Sequence, residues 1–88
     1  MEIEREILKF PCEFPIKIIG LNNDEFTQEV DTIINELAPD TDPAKTTTAL
    51  SNAGKYKAVS VVIPAKSQDQ LDKIYLRLTG SKLIKIVL

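Results

Sequence analysis

The side chains that most often carry chemistry are scarce in this chain. There is no histidine, and the only cysteine is Cys12. Histidine general bases and the usual zinc sites are therefore excluded, and no disulfide can form within the chain. Cys12 lies between Pro11 and Glu13, which offer no base to activate a thiol, so it reads as a small apolar filler. The clearest polar constellation is Gly20-Leu21-Asn22-Asn23-Asp24, where free backbone N–H groups at a helix start and two amides could orient a small ligand. Asp24 and Glu25 already occupy that positive helix end and oppose an anion there, and an asparagine is a common helix cap in its own right. No cofactor is implied by any of these residues.

The elements that must position these groups follow from periodicity. Phe14 to Gly20 is β-branched and ends in glycine, a strand with Ile16 and Ile18 on one face and Lys17 on the other. Asn22-Asn23-Asp24-Glu25 then starts a helix whose apolar positions, Phe26, Val30, Ile33, Ile34 and Leu37, gather on one stripe. Pro39 and Asp40-Thr41-Asp42-Pro43 end it. Thr46 to Leu50 has strand propensity but few large apolar side chains, as befits an edge strand. After the turn Ser51-Asn52-Ala53-Gly54, Lys57 to Ile63 alternates a full apolar face (Val59, Val61, Ile63) with a smaller one (Ala58, Ser60, Val62) and reads as a central strand. Ser67 with Gln70 has the spacing of a capping box, and Leu71, Ile74, Tyr75 and Leu78 form the buried stripe of a second helix ending at Gly80. Leu83 to Leu88 is the last strand.

The order β-α-β-β-α-β predicts an α+β ferredoxin-like sandwich, an antiparallel sheet in order 4-1-3-2 with both helices on one face. Residues 14–88 form the domain and residues 1–13 a mobile arm whose end docks. In this arrangement Lys17, Ser60 and Lys85 point to the open face of the sheet.

Composition sets the remaining bounds. The 88 residues are 43% hydrophobic and 27% charged, enough for one small core with little surplus. No stretch is long and apolar enough for a membrane span, and Met1-Glu2-Ile3-Glu4-Arg5-Glu6 is unlike a signal peptide, so a cytoplasmic location is expected. The net charge of −2 divides unevenly, residues 1–44 carrying −8 and residues 45–88 carrying +6. Such a split can mark a basic surface, or disappear when the halves interleave in space.

Leu8-Lys9-Phe10-Pro11 with Phe14 and the strand to Gly20, Gly54-Lys55-Tyr56 followed by Val59-Ser60-Val61, and Ile86-Val87-Leu88 together resemble the YbeD-like family of small bacterial proteins, over nearly the whole chain. The resemblance implies a fold similar to ACT regulatory domains, which act by association, and supplies no catalytic motif. It directs attention to the first strand-to-helix loop, where ACT domains take effectors, usually between two copies. Gly20, Asn22, Asn23 and Asp24 are the candidate ligand residues on that analogy. The loop departs from typical ACT loops, which often carry proline and glycine where this one has Asn23 and Asp24.

Four functional classes can then be compared. Association with a protein partner or a second copy, through a sheet edge or the open face, is the leading expectation, because the terminal strand is apolar on both faces unless Ile7 and Phe10 of the arm cover it. A small-molecule sensor using the first loop is the alternative. Nucleic-acid binding is disfavoured, since sheets that bind RNA stack bases on central aromatic residues and only phosphate contacts through Lys17, Lys57 and Lys85 would be available. Catalysis is unsupported. Acylphosphatases share this fold class but need an arginine in the first loop, whereas Arg5 and Arg77 lie in the arm and the second helix.

Overall fold

The computed structural model describes residues 9–88. Strand β1 (Cys12–Leu21) leads into helix α1 (Asp24–Leu37), a short 3-10 turn (Pro43–Lys45), the hairpin of β2 (Thr47–Leu50) and β3 (Tyr56–Ala65), helix α2 (Gln68–Thr79) and β4 (Ile84–Val87). The four strands form one antiparallel sheet in the order β2-β3-β1-β4, the ferredoxin-like arrangement expected from the element order. The first eight residues of the expected arm lie outside the described residues. Phe10, at its end, packs against the core.

The two central strands pair over ten residues without interruption, from Cys12 opposite Ala65 to Leu21 opposite Tyr56. Both are longer than their apolar cores suggest, because they extend through Pro15 and Pro64. Neither proline breaks a ladder. Lys17 turns its N–H and C=O toward Leu88 of the β4 side, so Pro15, two residues earlier, turns its nitrogen the same way, beyond the reach of β4. Pro64 likewise faces the β2 side, past the last β2 partner at Ser60. Prolines sit at strand positions where no donor is required.

Alternation places Ile16, Ile18, Val59, Val61 and Ile63 under the helices, which return Phe26, Val30, Ile33 and Ile34 from α1 and Leu71, Ile74 and Leu78 from α2, all buried. Asn23 is the α1 cap, its Oδ1 accepting the Phe26 N–H at 2.8 Å. At α2, Ser67 Oγ accepts from the Gln70 N–H. Gln70 accepts the N–H of Lys66, the residue before the cap, at 2.7 Å, and its amide donates to the Leu37 carbonyl at 2.8 Å. One side chain thus caps α2 and ties its start to the end of α1, satisfying a carbonyl that a helix C-terminus leaves without a partner.

Gly20 is the tightest point of the packing. A Cβ there would run into the Phe26 ring and come within 2.5 Å of the Leu83 carbonyl oxygen. The missing side chain is what lets α1 settle onto β1. Gly20→Ala is therefore expected to destabilise the fold by about 1–3 kcal/mol through overpacking. Thermal unfolding followed by circular dichroism checks this, with a fall of several degrees expected in a domain this small.

Candidate interaction surface

The face of the sheet turned away from the helices is built by the odd residues of β1 and the even residues of β3. The register makes Lys17 and Ser60 direct partners, Ile19 and Ala58 the next pair, and Leu21 and Tyr56 the last. On the other side of β1, Ile86 stands opposite Ile19, and Leu88 exchanges both backbone bonds with Lys17 (3.1 and 2.8 Å). Leu21, Tyr56, Ile86 and Leu88, 38 to 65% exposed, therefore gather with Ile19 on one end of the open face. A shallow hollow of about 200 Å³ opens beside Ile19, Ala49, Tyr56 and Ala58. Leu50 and Leu76 complete the exposed large apolar side chains among the described residues. Leu50 aligns with Lys57 on the helical side of the sheet, and Leu76 stands alone on α2.

The lysines of the strands divide between the two faces. Lys17 has the parity of the open face. Lys85 has no Cα partner in β1: the ladder shifts between Ile19 and Gly20, so Ile86 pairs with Ile19 and Ile84 with Gly20, leaving Lys85 at a bulge. The bulge brings Ile84 into the core beside Gly20 while keeping Ile86 outside. Lys57 requires a correction. It aligns with Gly20 and points to the helical side, where its Nζ donates to Thr27 Oγ1 at 2.8 Å, so Lys17, Lys57 and Lys85 do not form one phosphate-binding row.

The first strand-to-helix loop has a different character from a ligand loop. Asn22 Nδ2 donates to the Gly54 carbonyl at 3.0 Å, and the Asn22 N–H to the Lys55 carbonyl at 2.9 Å. Asn22 thereby fastens the loop to the β2–β3 hairpin. Asn23 caps α1, Gly20 lies buried under Phe26, and Asp24 is exposed in the first helical turn. Of the four candidate residues, three have structural partners that account for their type. The sequence pointed to an asparagine cap but did not separate Asn22 from Asn23, because the hairpin contact depends on which loop lies next to Gly54.

No polar or charged side chain is buried among the described residues, so none is withdrawn from water in the way that tunes catalytic groups. Cys12 aligns with Ala65 and packs against the edge of the core. At the far end of the open face, Lys45 donates to Glu13 at 2.6 Å. That hydrogen bond, and then the charge of Glu13, hold the Lys45 ammonium above the ordinary lysine value. The ammonium's part in this pair is present through neutral pH and is lost as the pH rises through that raised value. No helix among the described residues is long and apolar enough to cross a membrane.

The comparisons with known proteins agree with this architecture. The family described as "Protein of unknown function (DUF493)" matches residues 5–88. A UPF0250 protein of Paraburkholderia phytofirmans is 36% identical over 86 residues, covering 98% of this chain and 97% of its own. A UPF0250 protein of Neisseria meningitidis serogroup C is 42% identical over 82 residues, covering 93% of this chain and 90% of its own. Among solved structures, protein HP0495 from H. pylori superposes with a TM-score of 0.72 at 12% identity, over 92% of this chain and 85% of that one. The ACT domain from the GTP pyrophosphokinase of Chlorobium tepidum gives 0.64 at 19% identity, over 86% and 94%. At these identities the two structures establish the fold alone.

The roles of the two asparagines can be separated by measurement. Asn23→Ala should lower unfolding stability by about 1 kcal/mol, the usual worth of an N-cap, while Asn23→Asp should keep most of it. Chemical denaturation reads both. If the loop is structural, millimolar amino acids should leave the melting temperature of the wild-type protein unchanged.

Proposed function

Because this chain belongs to the DUF493 family of small bacterial proteins, also called UPF0250 and YbeD-like, and has an ACT-like ferredoxin fold, we propose that it is a non-enzymatic association module whose working surface is the open face of its sheet. The observation that carries this reading is the position of the exposed apolar side chains. Leu21, Tyr56, Ile86 and Leu88 are four of the six large ones exposed among the described residues, and they lie together with Ile19 on the face without helices. Scattered apolar residues need no explanation, but a contiguous patch on a regular surface is the mark of an interaction site. A sheet face is also a rigid platform, so docking onto it requires little ordering of the backbone.

The open face is favoured over the β2 edge of the sheet. Edge β2 is four residues long and fully exposed, with Thr47 and Thr48 leading it. Short polar edges of this kind discourage strand addition. The sensor alternative at Gly20–Asp24 is weakened by the hydrogen bonds that already engage Asn22 and Asn23. A regulatory role exercised from the cytoplasm is the setting we propose for this module.

The experiment is affinity capture from cells of the source bacterium with three forms of the chain. The wild type should retain a defined complex, Ile86→Asp should lose it, and Leu76→Asp, which places the same charge on the exposed side of α2, should retain it. Both variants should melt within a few degrees of the wild type because both positions are solvent-exposed. Retention by Ile86→Asp together with loss by Leu76→Asp would move the working surface to the helices.

A further inference from the structure

We infer, on the basis of the open-face reading above, that the partner seated there is an acidic amphipathic protein surface, with apolar side chains at its centre and carboxylates around them. The inference comes from how the cations of this chain are distributed. Lys45, Lys66, Lys73 and Arg77 are each paired with a carboxylate, Glu13, Asp40, Asp69 and Glu36, at 2.6, 2.9, 3.2 and 2.7 Å. All four pairs lie away from the apolar end of the open face. Four other lysines surround that end, and none has a carboxylate at ion-pair distance among the described residues.

Their placement follows from the topology. Lys17 is flanked by Ser60 on one side and Leu88 on the other. Lys55 directly precedes Tyr56, with its Nζ 5.5 Å from the ring centroid, and its carbonyl accepts the Asn22 N–H just beyond Leu21. Lys85 occupies the bulge between Ile84 and Ile86. Lys82 lies in the turn that leads into β4, two residues before Ile84, which stands opposite Gly20. The end of β1 is thus bracketed by the starts of β3 and β4, and each start brings lysine. Asp24, the acidic residue nearest in sequence, belongs to the first turn of α1 in the helical layer.

This pattern decides among occupants. A second copy docking through the same face would be related by a two-fold axis, which lays the patch on itself and brings each lysine rim against its equivalent. Like charges facing across an interface oppose association. Single-stranded nucleic acid would offer phosphates to the lysines but bases to a platform of Ile19, Ile86 and Leu88 with one aromatic, Tyr56, at its margin, where RNA-binding sheets stack two or three bases on central aromatics. An acidic amphipathic protein surface satisfies both parts, covering the aliphatic centre and neutralising the rim. The positive rim also attracts such a partner before contact.

The test uses the full chain and three synthetic peptides of equal length: a helix-forming peptide with a leucine stripe and a glutamate face, the same peptide with lysine replacing glutamate, and an acidic peptide of scrambled order without a stripe. Amide chemical shifts and fluorescence anisotropy read the binding. The acidic amphipathic peptide should bind, perturbing Ile19, Leu21, Tyr56 and Ile86, and should weaken several-fold between ~0.05 and ~0.3 M salt as the screening length shrinks. Lys17→Glu with Lys85→Glu should weaken it by about tenfold or more, and Lys17→Arg with Lys85→Arg should not. Equal binding of the lysine peptide, no binding of the acidic amphipathic one, tighter binding to phosphatidylglycerol vesicles, or a concentration-dependent dimer through this face would each overturn the inference. If the peptide fails while Ile86→Asp still abolishes capture of the cellular complex, the acidic partner is ruled out and the open-face reading stands. If Ile86→Asp leaves capture intact as well, both fall.

Discussion

The unbroken ten-residue pairing of β1 with β3 is the constraint on which the rest of this molecule depends. Because side chains alternate strictly along a strand, that single register assigns Ile16, Ile18, Val59, Val61 and Ile63 to the helices and Lys17, Ile19, Leu21, Tyr56 and Ser60 to solvent. A slip of β1 by one residue would bury Lys17 and expose Ile16 and Ile18. The register is therefore fixed by the core, and the chemistry of the open face is fixed with it. Gly20 adds the second condition, since α1 can cover the sheet only where β1 has no side chain to meet Phe26.

Most of the fold was legible because its signals are local. The apolar stripes of both helices, the Ser67–Gln70 cap, the Thr-rich edge strand and the order of elements all follow from spacing of a few residues. What the chain did not disclose depends on contacts between distant segments. Residues 10–13 read as the end of an arm, yet β1 begins at Cys12, since Cys12 and Glu13 continue the ladder opposite Ala65 and Pro64. The bulge at Lys85 is equally invisible in a run that is apolar on both sides of this lysine, where only the depth of Gly20 and Ile84 shows that one residue must be left out of the ladder.

The same division holds for the candidate sites. Lys17 and Ser60 were readable as open-face residues from alternation alone. Lys57 shares the parity of Val59, Val61 and Ile63, so alternation already turns it to the helical side; grouping it with Lys17 and Lys85 overlooked this, and its hydrogen bond to Thr27 lies on that side. The loop at Gly20–Asp24 has the composition of a binding loop and the bonding of a structural one. Asn22 and Asn23 are both required for reasons that have nothing to do with a ligand: one holds the hairpin and the other starts a helix. Leu21, Ile86 and Leu88, by contrast, looked like ordinary strand residues and gain meaning only when the topology gathers them beside Tyr56.

The charge division between the halves of the chain also survives folding in part. Five of the eleven acidic residues of the first half, Asp24, Glu25, Glu29, Asp31 and Glu36, lie on α1, which has no basic residue of its own. The lysines of the second half include three of the four around the apolar end of the open face. A domain of this size, with a modest core and one apolar face, gains most from a partner that covers that face. The central claim, that the open face is covered in the cell, is tested most directly by hydroxyl-radical footprinting of the protein inside living cells against the purified chain. Covered association predicts that Leu21, Tyr56, Ile86 and Leu88 lose reactivity in the cell while Leu76 on α2 does not. Equal labelling of the open face in both settings, or protection confined to the helices, would contradict it.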